Sequence, residues 1–226
     1  MMNDQNILGI EVKNWKKRPR PAAISMHGNY CTLEPFNVEK HDASLFSALQ
    51  IENNGESWAY LPYGPCSTLN EFKTCMEKIC TDKDTLLYTI LDSKTQMPVG
   101  VCGYLRINPE HGVIEVGHLH YSKLLQKTAA ATEAMYLLLR YAFDDLGYRR
   151  YEWKCNALNT PSRKSAERLG FTFEGIFRQC NVFKGHNRDT VWLSIIDSEW
   201  PGIKAKLAKW LVPNNFDNVG KQLKSL

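Results

Sequence analysis

Apolar side chains change their spacing twice in the middle of the chain, between residues 113 and 171. Val113–Tyr121 is rich in β-branched and aromatic residues with partial alternation, which predicts a strand. Residues 128–146 carry apolar side chains at helical spacing and are followed by Gly147, so a long helix is predicted there. Residues 151–157 again have the pattern of a strand. A strand, a long helix and a second strand predict a parallel crossover unit.

The remaining periodicity predicts an α+β domain with a mixed, mostly antiparallel sheet and helices on both faces. Further strands are predicted at residues 29–36, 86–92, 99–108, 171–183 and 190–196. Further helices are predicted at residues 41–53, 68–80, 160–169 and 199–211. We interpret residues 29–211 as one domain, with an extension at 1–28 and a polar tail at 212–226 that is expected to fray.

The turn into the long helix has only small side chains after Lys127. It reads Gln126-Lys127-Thr128-Ala129-Ala130-Ala131-Thr132. The first N–H groups of a helix have no acceptor within the helix, and the helix dipole is positive there. A turn of small residues at this point therefore suits a phosphate or pyrophosphate group. A helix start packed closely against a neighbouring element is the alternative, and the turn alone does not decide between them.

A second turn follows the strand at 151–157. Asn159-Thr160-Pro161-Ser162 opens a short helix, with Thr160 as the expected N-cap and Pro161 in the first helical position. Gly170 follows the helix where a left-handed cap is favoured. In this order, the strand, small-residue turn, long helix, strand, Asn-x-x-Ser, short helix and Gly-Phe resemble the GNAT acyltransferase superfamily.

Two further motifs resemble one branch of that superfamily. Gly170-Phe171-x-x-Glu174-Gly175-x-x-Arg178, followed by Gly185 and Asp189, is similar to the RimJ/RimL type of ribosomal-protein N-terminal acetyltransferase. Residues 58–65 are similar to a motif of a RimL-like subgroup. The resemblance covers roughly residues 28 to 200, and the order and spacing of the motifs make it specific.

The resemblance implies that the turn at 126–132 binds the pyrophosphate of acetyl-CoA. Ala129 stands where the family usually has Gly. Ala is harmless there at negative φ and costs about 1 kcal/mol or more at positive φ. The resemblance also implies that Asn159 bonds the pantetheine amides. The implied cofactor-binding residues are Leu119, His120, Tyr121, Gln126, Lys127, Thr128, Ala129, Ala130, Ala131, Thr132, Asn159 and Ser162.

The candidate catalytic residues are Glu115, His120 and Ser162. Glu115 lies in Glu-Val-Gly-His, which is similar to the Glu-Ile-Gly-Tyr pattern of the RimL type, and implies a general base acting through a water. A strand glutamate paired with an arginine is the alternative. His120 has an intrinsic pKa suited to a base near neutral pH, but it also fits a structural role. The family's usual Tyr acid is replaced by Ala166, so Ser162 is expected to hydrogen-bond the sulfur.

Strand periodicity places His118 and His120 on one face and Glu115 on the other. The superfamily has a bulge on this strand, where the strand splays from its neighbour to admit the pantetheine arm. With such a bulge, alternation does not assign the faces of these three residues.

The segment at 58–65 combines aromatic side chains with residues that force a loop. It contains Trp58, Tyr60 and Tyr63, together with two prolines and a glycine. In the superfamily the segment between the first two helices covers the acceptor, so these three aromatic residues are expected to bind the acceptor substrate. A loop packed onto the core is the alternative.

Composition narrows the class of protein. The net charge of +4 favours an anionic cofactor, and nucleic acid is not an expected partner. There is no apolar run of ~18 residues, and residues 1–10 lack the apolar core of a signal peptide, so a cytoplasmic protein without a membrane span is expected. The seven cysteines are irregularly spaced, which predicts free thiols and no metal site.

The sequence therefore predicts an acetyl-CoA-dependent N-acetyltransferase, either monomeric or homodimeric. The acceptor is expected to be a primary amine: a protein N-terminus, a lysine or a small-molecule amine. Three alternatives remain: transfer of another acyl group such as succinyl, a CoA-binding regulatory protein without turnover, and an RNA- or ribosome-binding module. The last depends only on the basic, proline-rich residues 15–21.

Overall fold

Eight strands form a single sheet in the computed structural model, which describes residues 9–51 and 55–226. The strands are β1 (Met26–His27), β2 (Cys31–Pro35), β3 (Leu86–Asp92), β4 (Pro98–Asn108), β5 (Val113–Tyr121), β6 (Arg150–Asn156), β7 (Thr172–Phe183) and β8 (His186–Ile196). The helices are α1 (Val38–Gln50), α2 (Leu69–Cys80), α3 (Ala129–Arg140), α4 (Thr160–Arg168) and α5 (Trp200–Trp210). A single π-helical turn, Tyr141–Asp145, extends α3.

The sheet order is β1-β2-β3-β4-β5-β6-β8-β7. All neighbouring strands are antiparallel except β5 and β6, which are parallel and are joined by the crossover through α3. The predicted crossover unit and the α+β fold are therefore confirmed. β8 begins at His186, four residues before the predicted start, because the β7–β8 hairpin pairs as far as Phe183 and His186.

Side-chain caps set the starts of four helices. The N-caps are Asn37, Thr68, Thr128 and Asn159. The expected cap Thr160 is wrong, because the Asn159 Oδ1 accepts the Ser162 N–H at 3.2 Å and Thr160 is already helical. Pro161 therefore occupies the second helical position, not the first. The predicted end of the first helix, at residue 53, lies outside the described residues.

Helices cover the sheet on both faces, as predicted. α1 and α2 pack on one face, where Leu87 and Val101 enter their apolar cluster. α3 and α5 pack on the other face, where Tyr88 and Cys102 enter the main core. Neighbouring residues of one strand thus belong to different clusters, as the period of two in a strand requires.

The N-terminal extension lies along the surface of the domain over its described part. Trp15 Nε1 donates to the Glu110 carbonyl oxygen at 2.9 Å, and the Tyr148 hydroxyl donates to the Pro19 carbonyl oxygen at 3.1 Å. These contacts are those of an extended arm held on the domain. The ribosome-binding interpretation of this segment stays a prediction.

The C-terminal segment folds back onto α5, so the expectation that it frays is wrong. Asn215 is buried, and its Nδ2 donates to the Trp210 carbonyl oxygen at 2.9 Å. Trp210 Nε1 in turn donates to the Lys224 carbonyl oxygen at 3.0 Å, and Phe216 packs edge-on against Trp210 at 4.9 Å. The polar composition of residues 212–226 did not indicate that Asn215 and Phe216 make these contacts.

Candidate active site

The sheet opens between its two parallel strands. β5 and β6 pair from Val113 and Arg150 as far as Val116 and Trp153, and no further. Both strands continue beyond the last pair, so a wedge-shaped gap separates their carboxyl ends. The backbone polar groups on the inner edge of β5 face this gap. A gap between parallel strands at their carboxyl ends is a favoured place for a ligand.

A β-bulge in β5 adjoins the gap. Gly117 pairs with Gly103 and His120 pairs with Val101, so three steps along β5 match two along β4. His118 takes a left-handed conformation at φ 51° to accommodate the extra residue. Because the bulge breaks the alternation, Glu115, His118 and His120 all line the same cavity. The faces derived from a period of two are therefore wrong for these residues.

The cavity has a volume of about 1100 Å³, which is large for a single small ligand. Its walls come from β5, β6, β8, α4 and the loop between α1 and α2. The predicted site residues on its walls are Tyr60, Glu115, Leu119, His120, Tyr121, Gln126, Asn159 and Ser162. The structure therefore brings together the candidate base, the Asn-x-x-Ser turn and one residue of the acceptor loop.

Glu115 is the centre of a buried ion-pair network. Its Oε1 lies 2.6 Å from Arg106 Nη1 and its Oε2 lies 2.8 Å from Lys154 Nζ. Lys154 Nζ also lies 2.8 Å from Glu152 Oε2 and 3.8 Å above the Trp192 ring. Burial raises the pKa of Glu152, but the pairs with Lys154 and Arg150 outweigh it and the pKa is lowered. Glu115 thus has the arginine partner of the structural alternative while remaining on the cavity wall.

His120 is buried against the acceptor loop. Its Nε2 lies 3.2 Å from Ser57 Oγ, and its ring packs 4.4 Å from the Trp58 ring. Burial lowers the pKa of His120 to about 3. His118 is affected in the same direction: burial lowers its pKa to about 4, an effect that Asp82 opposes and Arg106 reinforces. Both imidazoles are therefore neutral near neutral pH and take up a second proton less readily than the ordinary histidine assumed from the sequence.

The buried His120 should make the fold sensitive to acid. The pKa of about 3 in the fold lies below the ordinary value of 6.5, so the unfolded chain takes up the proton first as pH falls. The stability that depends on neutral His120 is complete above pH 6.5 and decreases as pH falls toward 3. At about pH 5 the loss in the free energy of unfolding is about 2 kcal/mol.

Urea unfolding at about pH 7 and about pH 5 should show a smaller drop in the free energy of unfolding for His120→Gln than for the parent. The exposed His186→Gln is the control and should keep the full drop; equal drops in all three proteins would refute the assignment.

A side-chain cap sets the start of α3 at the turn that precedes it. Thr128 Oγ1 accepts the Ala131 N–H at 3.3 Å and donates to the Leu125 carbonyl oxygen at 2.7 Å. The positive φ of this turn falls on Lys127, at 62°, whereas Ala129 is helical. Replacement of the family's Gly by Ala129 therefore causes no backbone strain. This cap uses the Ala131 N–H, so the N–H groups of Ala129 and Ala130 are the ones that a phosphate could contact, beside small, partly exposed side chains.

Two of the implied cofactor-binding side chains face the protein interior. Ala130 is 7% exposed and packs in the main core. Thr132 is also buried, and its Oγ1 accepts from Arg168 Nη1 at 3.1 Å. Helical geometry turns these positions toward the sheet and α4, so only their backbone could contact a ligand at the turn.

Ser162 and Asn159 lie on the cavity wall next to the gap. Ser162 Oγ accepts from Trp153 Nε1 at 3.0 Å, which leaves the hydroxyl proton free to donate. Burial raises the pKa of the Cys155 thiol, and the Ser162 hydroxyl opposes this effect in part. The Asn159 Oδ1 caps α4, and its amide N–H groups are left to donate.

The three aromatic residues of the acceptor loop have different environments. Trp58 and Tyr63 are 1% and 8% exposed, and they pack with Phe72 under the loop. Tyr60 is 38% exposed and lines the cavity. Lys184 Nζ, from the β7–β8 hairpin, donates to the Trp58 carbonyl oxygen at 2.8 Å and holds the loop in place. Two of the three residues therefore follow the alternative of a loop packed onto the core, and Tyr60 alone has the expected position.

Several cavity residues were not identified from the sequence. They include Arg106, Lys154, Arg188, Thr190 and Trp192. A signal exists for Lys154, because polar and apolar residues alternate strictly through β6. Alternation of this kind indicates a strand with one uncovered polar face. It does not show that this face lines a cavity.

Comparison with known proteins identifies the family. Residues 31–172 match the Acetyltransferase (GNAT) domain family. The chain belongs to the GNAT family. This membership confirms the fold and the acetyltransferase class inferred from the motifs.

Similar proteins are found in several bacteria. The chain is 32% identical to an uncharacterized N-acetyltransferase, p20, of Bacillus licheniformis, over 73% of this chain and 93% of the relative. It is 29% identical to a Bacillus subtilis protein provisionally named ribosomal N-acetyltransferase YdaF, over 74% and 92%. That name agrees with the RimJ/RimL-like motifs. A crystal structure of a GCN5-related N-acetyltransferase from Brucella melitensis superposes with a TM-score of 0.92 at 44% identity, covering 95% and 97% of the two chains.

The described residues include neither a helix that could span a membrane nor a cluster of metal-binding side chains. No helix among residues 9–51 and 55–226 is long and apolar enough to cross a membrane. Within the same residues, no group of three or more His, Cys, Asp or Glu side chains is placed to hold a metal ion.

Proposed function

We propose that this GNAT protein transfers an acetyl group from acetyl-CoA to a primary amine by direct attack in a ternary complex. The main support is the gap between β5 and β6, which opens onto the cavity and adjoins the turn before α3. Acetyl-CoA supplies the activated acyl group as a thioester. The protein's own contribution is to bind and orient both reactants, to exclude water and to move protons.

The proposed cofactor contacts follow from the donors at the gap. The N–H groups at the start of α3 would bind the pyrophosphate, with Gln126 and Lys127 beside them. The free amide N–H groups of Asn159 would bond the pantetheine arm. Ser162, polarised by the Trp153 N–H, would donate to the departing sulfur.

Of the two candidate bases, the geometry favours Glu115. It lines the cavity and can accept the amine proton through a water, although both of its oxygens contact cations. His120, with its pKa lowered to about 3 by burial, is better suited to accept a hydrogen bond than a proton. Arg106 and Lys154 orient the carboxylate of Glu115.

The proposed location is the cytoplasm. All seven cysteines are free thiols, and Cys66 Sγ and Cys75 Sγ lie 3.7 Å apart without a bond. A reducing compartment suits such a set of thiols. The Bacillus subtilis relative is named for ribosomal substrates, so a protein N-terminus stays among the proposed acceptors beside lysine and small amines.

Glu115→Gln should lower turnover about 100-fold and leave CoA affinity nearly unchanged, because it removes the proton acceptor and keeps the size of the side chain. Turnover is measured by release of free CoA thiol with a panel of amines and N-terminal peptides, and CoA affinity by calorimetry. Glu152→Gln is a matched control, because Glu152 shares the Lys154 pair but does not line the cavity. Equal losses in the two variants would assign Glu115 to the ion-pair network alone.

The same assay separates the alternatives. Bound CoA without thiol release for any amine would favour a regulatory protein. Faster thiol release from succinyl-CoA than from acetyl-CoA would show that succinyl is the preferred acyl group.

A further inference from the structure

One face of β8 presents three polar side chains to the cavity. Arg188, Thr190 and Trp192 alternate along the strand, and all three line the cavity wall. The neighbouring Val191 and Leu193 are buried in the main core on the opposite face. The three side chains therefore form one row on the face of the sheet that neither α3 nor α5 covers.

Each member of the row has a buried polar atom without a hydrogen-bond partner among the described residues. The atoms are Arg188 Nε, Thr190 Oγ1 and Trp192 Nε1. Thr190 is only 3% exposed. An unsatisfied buried polar group costs about 1–3 kcal/mol, so three in one row are unusual in a folded protein unless a ligand or water satisfies them. All three groups can donate a hydrogen bond, which favours a ligand rich in acceptor oxygens.

The charge of the row points the same way. Arg106 and Lys154, two other cations of the cavity wall, are both paired with Glu115. Arg188 forms no ion pair with any described residue and packs 5.1 Å over the Phe183 ring. The adjacent Asp189 forms no ion pair with Arg188; its carboxylate accepts the Gln179 N–H at 2.7 Å and a hydrogen bond from the Asn187 side chain at 3.0 Å. An uncompensated guanidinium in a cavity attracts an anion.

We propose that Arg188, Thr190 and Trp192 form a carboxylate-binding subsite for the acceptor. The inference rests on the proposed transferase function and narrows its substrate class. The preferred acceptor is an amine that also carries a carboxylate, so that the amine lies toward Glu115 while the carboxylate lies on β8. A polyamine, with a cation at both ends, would place a positive charge against Arg188 and is disfavoured.

The subsite is tested by binding, which does not depend on turnover. Alanyl-alanine and its C-terminal amide form one matched pair, and lysine and cadaverine form a second. Each is titrated into the protein saturated with CoA, with tryptophan fluorescence as the signal because Trp192 is part of the row. The parent protein should bind each carboxylate compound about tenfold more tightly than its partner.

Variants then identify the residues responsible. Arg188→Gln should remove the preference, because binding of the carboxylate compound becomes about tenfold weaker while binding of the amide is unchanged. Arg188→Lys should retain part of the preference, because it keeps the charge but not the planar fork. Thr190→Val, which keeps the shape and loses the hydroxyl, should reduce the preference. Arg178→Gln is the control for charge, because Arg178 is exposed on β7 outside the cavity.

Several outcomes would overturn the subsite. These are equal binding of acid and amide by the parent, no binding of either carboxylate compound, or an equal loss for both members of a pair in a folded Arg188→Gln. Weaker CoA binding in Arg188→Gln with an unchanged preference for the carboxylate compound would show that Arg188 binds the cofactor and not the acceptor. Thiol release with cadaverine at the same rate as with lysine would support the transferase and refute the subsite. Acid-selective binding without any thiol release would support the subsite and refute the transferase.

Discussion

Ala129→Glu is expected to abolish CoA binding and leave the fold intact. The substitution places a carboxylate at the start of α3, where the proposed pyrophosphate would lie against the N–H groups. Two unit charges about 4 Å apart repel by about 4 kcal/mol near a protein surface, which corresponds to about a 1000-fold loss of affinity. The same carboxylate interacts favourably with the dipole of a helix N-terminus, so unfolding is not expected to contribute.

Calorimetry with CoA measures the effect, and two variants serve as controls. Ala129→Gly restores the residue usual in the family and should bind CoA like the parent, because φ is not positive at this position. Ala205→Glu adds the same charge at an exposed position of α5 and should also bind normally. Unchanged affinity in Ala129→Glu would show that the turn is only a closely packed helix start.

Glu133→Ala is expected to destabilise the protein by about 4 kcal/mol. The Glu133 carboxylate is buried in α3 and accepts three backbone N–H groups from the turn between β1 and β2. The donors are Asn29 at 2.7 Å, Tyr30 at 2.6 Å and Cys31 at 2.9 Å. Removal of the carboxylate leaves these donors without an acceptor and detaches the crossover helix from the edge of the sheet.

Urea unfolding at neutral pH measures the change in free energy of unfolding. Glu133→Gln retains one acceptor oxygen and should lose less than the alanine variant. Glu167→Ala removes an exposed carboxylate from its pair with Arg163 on α4, and should change stability by about 0.5 kcal/mol or less. A loss at Glu133 no larger than at Glu167 would mean that the turn N–H groups find other acceptors.

Local sequence was sufficient for most elements and for the family. Strand and helix periods and stops such as Gly147 and Gly170 act within a few residues, so they can be identified without knowing the fold. The order of these elements indicated the crossover unit and the turn before α3. The resemblance, not the local sequence, linked the Asn-x-x-Ser turn to the cofactor; the turn lies on the cavity wall, and its cap was assigned one residue late.

The composition of the cavity depended on tertiary structure. A strict period of two would put Glu115 and the two histidines on opposite faces of β5. A bulge, visible as a shift in the pairing of β5 with β4, instead brings them to the same cavity. From the sequence, Trp58 and Tyr63 were expected to line the acceptor pocket, but packing under the loop buries them. Such outcomes depend on which distant strand or helix supplies the neighbour, and one sequence does not specify that.

The charges of the site depended on the fold for the same reason. Glu115, Glu133 and Arg188 are ordinary charged residues of strands and a helix when viewed in the sequence. Their partners lie far away along the chain or, for Arg188, are absent among the described residues. Electrostatic interactions depend on distance and burial, which only the tertiary structure sets, and so the sequence determined the family while the fold decided which charges remain for a substrate.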